Sequence, residues 1–87
     1  PGHADLLGDL AVLHLQGGRY AQCVQAAQEA LNADPTHDES AYAIALALEA
    51  SGQPAQARRW YEELAVGERA ARFRAAQPAL AEQCLAK

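Results

Sequence analysis

Eighty-seven residues make one small domain, near the size at which a single apolar core is only just sufficient. Apolar residues are 51% of the chain but aromatics only 6%, so alanine and leucine carry the apolar content and strands are disfavoured. The net charge of −4 argues against a nucleic-acid backbone as the main partner, and no apolar run approaches the ~20 residues that cross a bilayer.

The chain punctuates itself into about five helices. A first helix begins near Ala4 and stops at Gly17-Gly18; a second runs from Arg19 or Tyr20 to Asp34-Pro35. Thr36 with Glu39 three residues later has the form of a capping box for a third helix, which ends at Ser51-Gly52. Pro54 then occupies the first position of a fourth helix, where its missing N–H costs nothing. A final helical stretch spans Gly67 to Lys87, and Pro78 should kink it or start a new turn.

At 100° per residue, Asp5, Asp9 and Gln16 share a narrow stripe of the first helix, with Val12 beside them. Leucines and alanines cover most of the remaining circumference. A surface helix needs an apolar stripe little wider than a third of a turn, so this one is built to be packed on two sides.

Sliding the chain on itself by 34 residues aligns Leu7, Leu10 and Ala11 with Ala41, Ile44 and Ala45, and Gly18 with Gly52. The same shift brings Cys23 onto Ala57, Ala27 onto Tyr61, Ala30 onto Leu64 and Pro1 onto Pro35. A fixed period of this length means one supersecondary unit copied and stacked. The small residues Ala11 with Cys23, and Ala45 with Ala57, would let paired helices approach closely. Leu7, Leu10, Ile44, Leu48, Tyr61 and Leu64 would fill the remaining space.

The period and wording resemble the tetratricopeptide repeat family over about residues 1–69. The first copy reads Leu7, Leu10, Ala11, His14, Cys23, Ala27, Pro35, and the second Ala41, Ile44, Ala45, Leu48, Ala57, Tyr61, with Arg69 where Pro would fall. The resemblance implies an all-α superhelix of stacked antiparallel helix pairs. Repeat one spans about 4–37, repeat two about 38–69 and a capping helix about 70–87, with Phe73, Ala76, Leu80 and Cys84 on its inner stripe. Pro1, at the place of Pro35, further suggests a piece of a longer array or multidomain protein. On that view the open side of the first helix meets an upstream repeat or pairs two copies of the chain.

In the resembled family the first helix of each repeat lines a concave groove that holds a peptide or helix of a partner. The residues implied here are Asp5, Asp9, Val12 and Gln16, then Glu39, Tyr42, Leu46 and Glu49. This lining is acidic with apolar patches and lacks the Lys, Arg and Asn that grip a C-terminal carboxylate. A basic or amphipathic segment is the partner it suits. The competing reading is that acids at helix starts answer only the helix dipole.

A second surface is the arginine group Arg58, Arg59, Arg69, Arg72 and Arg74. The plainer reading pairs Arg58 and Arg59 with Glu62 and Glu63 at i,i+4. Tyr61 takes a core position and Trp60 packs under the last helix. His14 is expected at the core edge, and His3 and His37 as turn or capping residues. No His, Cys or acid pair has metal-ligand spacing, and no glycine-rich phosphate loop is present. The expected function is therefore a non-catalytic protein-interaction module without a cofactor. The alternative is the repeat region of a larger bacterial enzyme, such as a transferase, that positions its substrate or partner.

Overall fold

The computed structural model describes residues 2–85 and is all-helical, with six helices among them. In chain order these are α1 (His3–Gln16), α2 (Tyr20–Ala33), α3 (Asp38–Ala50), α4 (Pro54–Ala65), α5 (Gly67–Ala76) and α6 (Pro78–Leu85). They stack as successive antiparallel pairs. The sixth helix arises because Gln77, at φ −140° and ψ 71°, leaves the helical conformation immediately before Pro78. The ring of Pro78 disfavours helical geometry at the residue before it, so the final stretch becomes two short helices.

The repeat is visible in the backbone itself. Gly18 and Gly52 both sit at positive φ, 75° and 84°, which a residue without Cβ adopts freely. Around the first, Arg19 N–H donates to the His14 carbonyl at 2.8 Å; around the second, Gln53 N–H donates to the Leu48 carbonyl at 2.8 Å. This six-to-one closure satisfies the last carbonyls of α1 and α3 in the same way, 34 residues apart.

The start of α3 departs from the expected capping box. Asp34 accepts both the Thr36 N–H at 3.0 Å and the Thr36 hydroxyl at 2.6 Å. The Thr36 side chain is thereby engaged in a local turn, and His37 becomes the residue preceding the helix. These two bonds hold the Asp34 carboxyl below its ordinary pKa.

Small residues occupy the helix crossings as the repeat implies. Ala11, Cys23, Ala45 and Ala57 are all buried, in a first cluster that also holds Ala26, Ala27, Ala43, Ile44 and Leu48, Ala45 excepted. Burial also pushes the Cys23 thiol above its ordinary pKa. A second cluster joins Ala41, Tyr42, Leu64, Phe73, Ala81 and Cys84, and links α5 and α6 to the stack. Trp60 and Tyr61, each half-buried, pack against both clusters.

Three apolar expectations are corrected. Leu10 is 43% exposed and does not fill the core, because among the described residues no helix lies across that side of α1. On the last helices Ala81 is buried, whereas Ala76 is exposed and Leu80 only half-buried. The break at Gln77 shifts the helical phase, so one stripe does not run continuously from Phe73 to Cys84.

The approach of α1 to α3 is tightest at Gly8. A Cβ there would stand 2.6 Å from His37 Cε1 and 3.2 Å from Ser40 Oγ. The ring cannot easily retreat, since Nε2 meets Asp5 Oδ1 at 2.9 Å and Nδ1 meets Ser40 Oγ at 2.7 Å. Gly8→Ala would gain about 1 kcal/mol of helix propensity and lose about 1–3 kcal/mol by overpacking. The expected result is a lower Tm in a thermal melt, and an unchanged or raised Tm would show that the ring yields.

Candidate functional site

The two acidic stripes suggested by the sequence fare differently. On α1, Asp5, Asp9 and Gln16 are exposed and Val12 is half-buried, so this half of the lining faces solvent. On α3, Glu39 and Leu46 are half-buried and Glu49 is exposed, but Tyr42 is only 4% exposed. Tyr42 is therefore corrected from groove lining to core. In the 34-residue register it stands where α1 has Gly8, at the contact with the next first helix. There its ring meets Phe73 of α5 and Tyr61 of α4, each with centroids 6.2 Å apart.

Glu39 and Glu49 are engaged within the chain. Gln77 Nε2 donates to Glu39 Oε2 at 3.1 Å, and the Tyr61 hydroxyl donates to Glu49 Oε1 at 3.0 Å. Desolvation, reinforced by that carboxylate, pushes the Tyr61 phenol well above its ordinary pKa. Asp5 and Glu39 remain neighbours across a cleft of about 330 Å³ whose walls also include His37, Asp38, Arg72 and Phe73. This end of the expected groove is bordered by both repeats.

The arginine group divides into two kinds. Arg72 grips Asp38 with both prongs, Nε to Oδ2 at 3.0 Å and Nη2 to Oδ1 at 2.9 Å. Arg69 Nε adds a contact to Asp38 Oδ1 at 3.2 Å, while its Nη2 donates to the Pro35 carbonyl at 2.9 Å. Asp38 is 6% exposed, so a buried carboxylate at the start of α3 is neutralised by two arginines of α5. Both arginines are engaged by this carboxylate.

Arg58, Arg59 and Arg74 are exposed. Arg58 lies 3.5 Å from Glu62, the expected i,i+4 partner, but Glu63 turns to Arg69 at 3.6 Å rather than to Arg59. His14 is half-buried and accepts from Arg19 Nε at 2.9 Å. Among the described residues no group of His, Cys and acids could hold a metal ion, and no helix is long and apolar enough to cross a membrane.

The feature that the sequence placed least well is an exposed apolar row on α1. Leu6, Leu10 and Leu13 are 71%, 43% and 58% exposed, one above another along α1 and beside the Asp5–Asp9 stripe. The sequence signalled a helix too apolar for one packed side, without saying which leucines would be left over.

Residues 3–67 match the family model described as the bacterial transcriptional activator domain. The chain belongs to that family. The bacterial transcriptional activator domain is a helical, TPR-like repeat domain of transcriptional activators, in keeping with the stacked pairs seen here. No curated protein and no solved structure matches the chain.

The Asp38 clamp yields a graded series of substitutions. Asp38→Ala is expected to cost about 2 kcal/mol, since it removes charge-assisted bonds to two arginines. Arg72→Ala should cost about 1–2 kcal/mol, while exposed Arg58→Ala and Arg74→Ala stay within about 0.5 kcal/mol. Urea titration reads the totals, and amide exchange should place the loss of protection mainly in α5 and α6. Equal midpoints for Asp38→Ala and Arg74→Ala would contradict the clamp.

Proposed function

We propose that this domain is a non-catalytic protein-interaction module of a bacterial transcriptional activator. It contacts a protein through the open face of α1, where Asp5, Asp9, Val12 and Gln16 adjoin the leucine row. The observation that carries the reading is the exposure of Leu6, Leu10 and Leu13 together on one helix. Contiguous apolar surface of this kind, rimmed by polar groups, marks interaction sites.

The charge distribution favours protein over DNA as the direct ligand. Two of the five clustered arginines neutralise Asp38, and the exposed face of α1 is acidic, so it repels phosphate. Membership of an activator family supports the interaction reading over the repeat region of a larger enzyme. Within the groove implied by the repeat, Glu39 and Leu46 extend the α1 surface, whereas Tyr42 does not.

A photo-crosslinking residue placed at position 10, and at exposed position 59 as a control, tests the assignment in bacterial cells. Protein adducts are expected from position 10 and few from position 59. Adducts to DNA alone, or equal adduct yields at both positions, would overturn the reading.

A further inference from the structure

The open face of α1 has a counterpart inside the same chain. Under the 34-residue shift, Leu6, Asp9, Leu10 and Leu13 fall on Ser40, Ala43, Ile44 and Ala47 of α3. Those four are 0%, 3%, 1% and 0% exposed. Ala43, Ile44 and Ala47 share the first cluster with Cys23, Ala26 and Ala27 of α2, and the Cys23 thiol reaches the Ala43 carbonyl at 3.8 Å. The face of α3 that α2 covers at Ala43, Ile44 and Ala47, and α1 at Ser40, is thus the face left uncovered on α1.

Two differences between these faces specify what fits. Where α3 presents Ser, Ile and Ala, α1 presents three leucines. A helix seated there must offer small residues between which the leucines insert, since two bulky rows would hold the backbones apart. And where α3 has Ala43, α1 has Asp9. A helix in the position of α2 would lie over this carboxylate and withdraw it from water. Among the described residues no hydrogen bond or ion pair reaches Asp9, whereas Asp5 meets His37. A covered carboxylate requires a cation, and the occupant must supply it.

We infer that α1 docks an amphipathic helix of a partner protein, bearing a seam of small apolar residues with a Lys or Arg set over Asp9. This rests on the protein-interaction reading above and gives the partner its chemistry. A second copy paired through α1 does not meet the requirement. The helix contains no Lys or Arg, its His14 accepts from Arg19, and His3 lies at its far end, so symmetric pairing would bring Asp9 no permanent cation.

Fluorescence anisotropy with labelled helical peptides of about 18 residues tests the inference. All share an alanine seam; one is flanked by arginines and one by glutamates. The arginine peptide is expected to bind roughly tenfold more tightly, with an affinity that falls as salt rises. Asp9→Asn should bring the two peptides within about threefold of each other, and Leu10→Ser should abolish binding of both. Both residues are exposed, and circular dichroism checks that each variant stays folded. Equal binding of the two peptides, or indifference to Asp9→Asn, overturns the inference. So does a concentration-dependent dimer, seen in sedimentation and lost in Leu10→Ser, that excludes the arginine peptide. Protein adducts from position 10 combined with peptide indifference would sink the basic-helix chemistry and leave the interaction module standing.

Discussion

Close approach between paired helices governs the rest of this molecule. Ala11, Cys23, Ala45 and Ala57, the small residues that the repeat sets at its helix pairs, have side chains of one to two heavy atoms, and all four are buried. Helices can then pack closely, but each buried alanine removes far less apolar area from water than a leucine would. The core is consequently thin. Among the described residues only Phe73, Ile44 and Leu64 are large side chains with under 2% exposure. A module built this way draws stability from many similar contacts between neighbours, as stacked repeats do.

The Asp38 clamp follows from the same economy of apolar contact. α5 is ten residues long and α6 eight, too short to persist without packing, and their buried side chains are Ala70, Phe73, Ala81 and Cys84. Three arginine–carboxylate contacts at 2.9–3.2 Å, with the Arg69 bond to the Pro35 carbonyl, fix α5 where apolar area alone is modest. The acids at the starts of α1 and α3 therefore have different fates. Asp38 is consumed by the fold, while Asp5 stays exposed beside His37, although both could be read from the sequence as acids in a first helical turn.

This difference marks the boundary of what could be read in advance. Helix order, the stops at Gly17-Gly18 and Ser51-Gly52, and the small-residue crossings are local or periodic signals, and they were legible. The capping box was not, because Asp34 competes for Thr36 within a two-residue turn, a choice between nearly equivalent local bonds. Tyr42 was misplaced because the helical wheel gives an angle but not a neighbour. The neighbour is Phe73, 31 positions away, on a segment that lies beyond the second repeat. Gly8 carried no signal at all. Its meaning lies in a contact with His37 and Ser40 that only the stacked arrangement creates.

The candidate site was half legible for the same reason. The acidic stripe of α1 could be drawn from a wheel, but which leucines remain outside depends on the absence of a helix over one side among the described residues. The internal repeat then turns that exposed side into a physical constraint. α3 shows that a helix fits across this register, and shows how small its residues are when α2 is the occupant. α1 keeps the register but replaces Ser40, Ile44 and Ala47 with leucine and Ala43 with aspartate. Bulk at the three apolar positions changes the separation at which a helix can sit, and the carboxylate changes the charge it must carry. An α2-like helix meets the first condition with Cys23, Ala26 and Ala27 but not the second: Tyr20–Ala33 contains no Lys or Arg to meet Asp9. The two faces are alike in position and unlike in chemistry, so a helix identical to α2 seated on α1 leaves Asp9 without a cation.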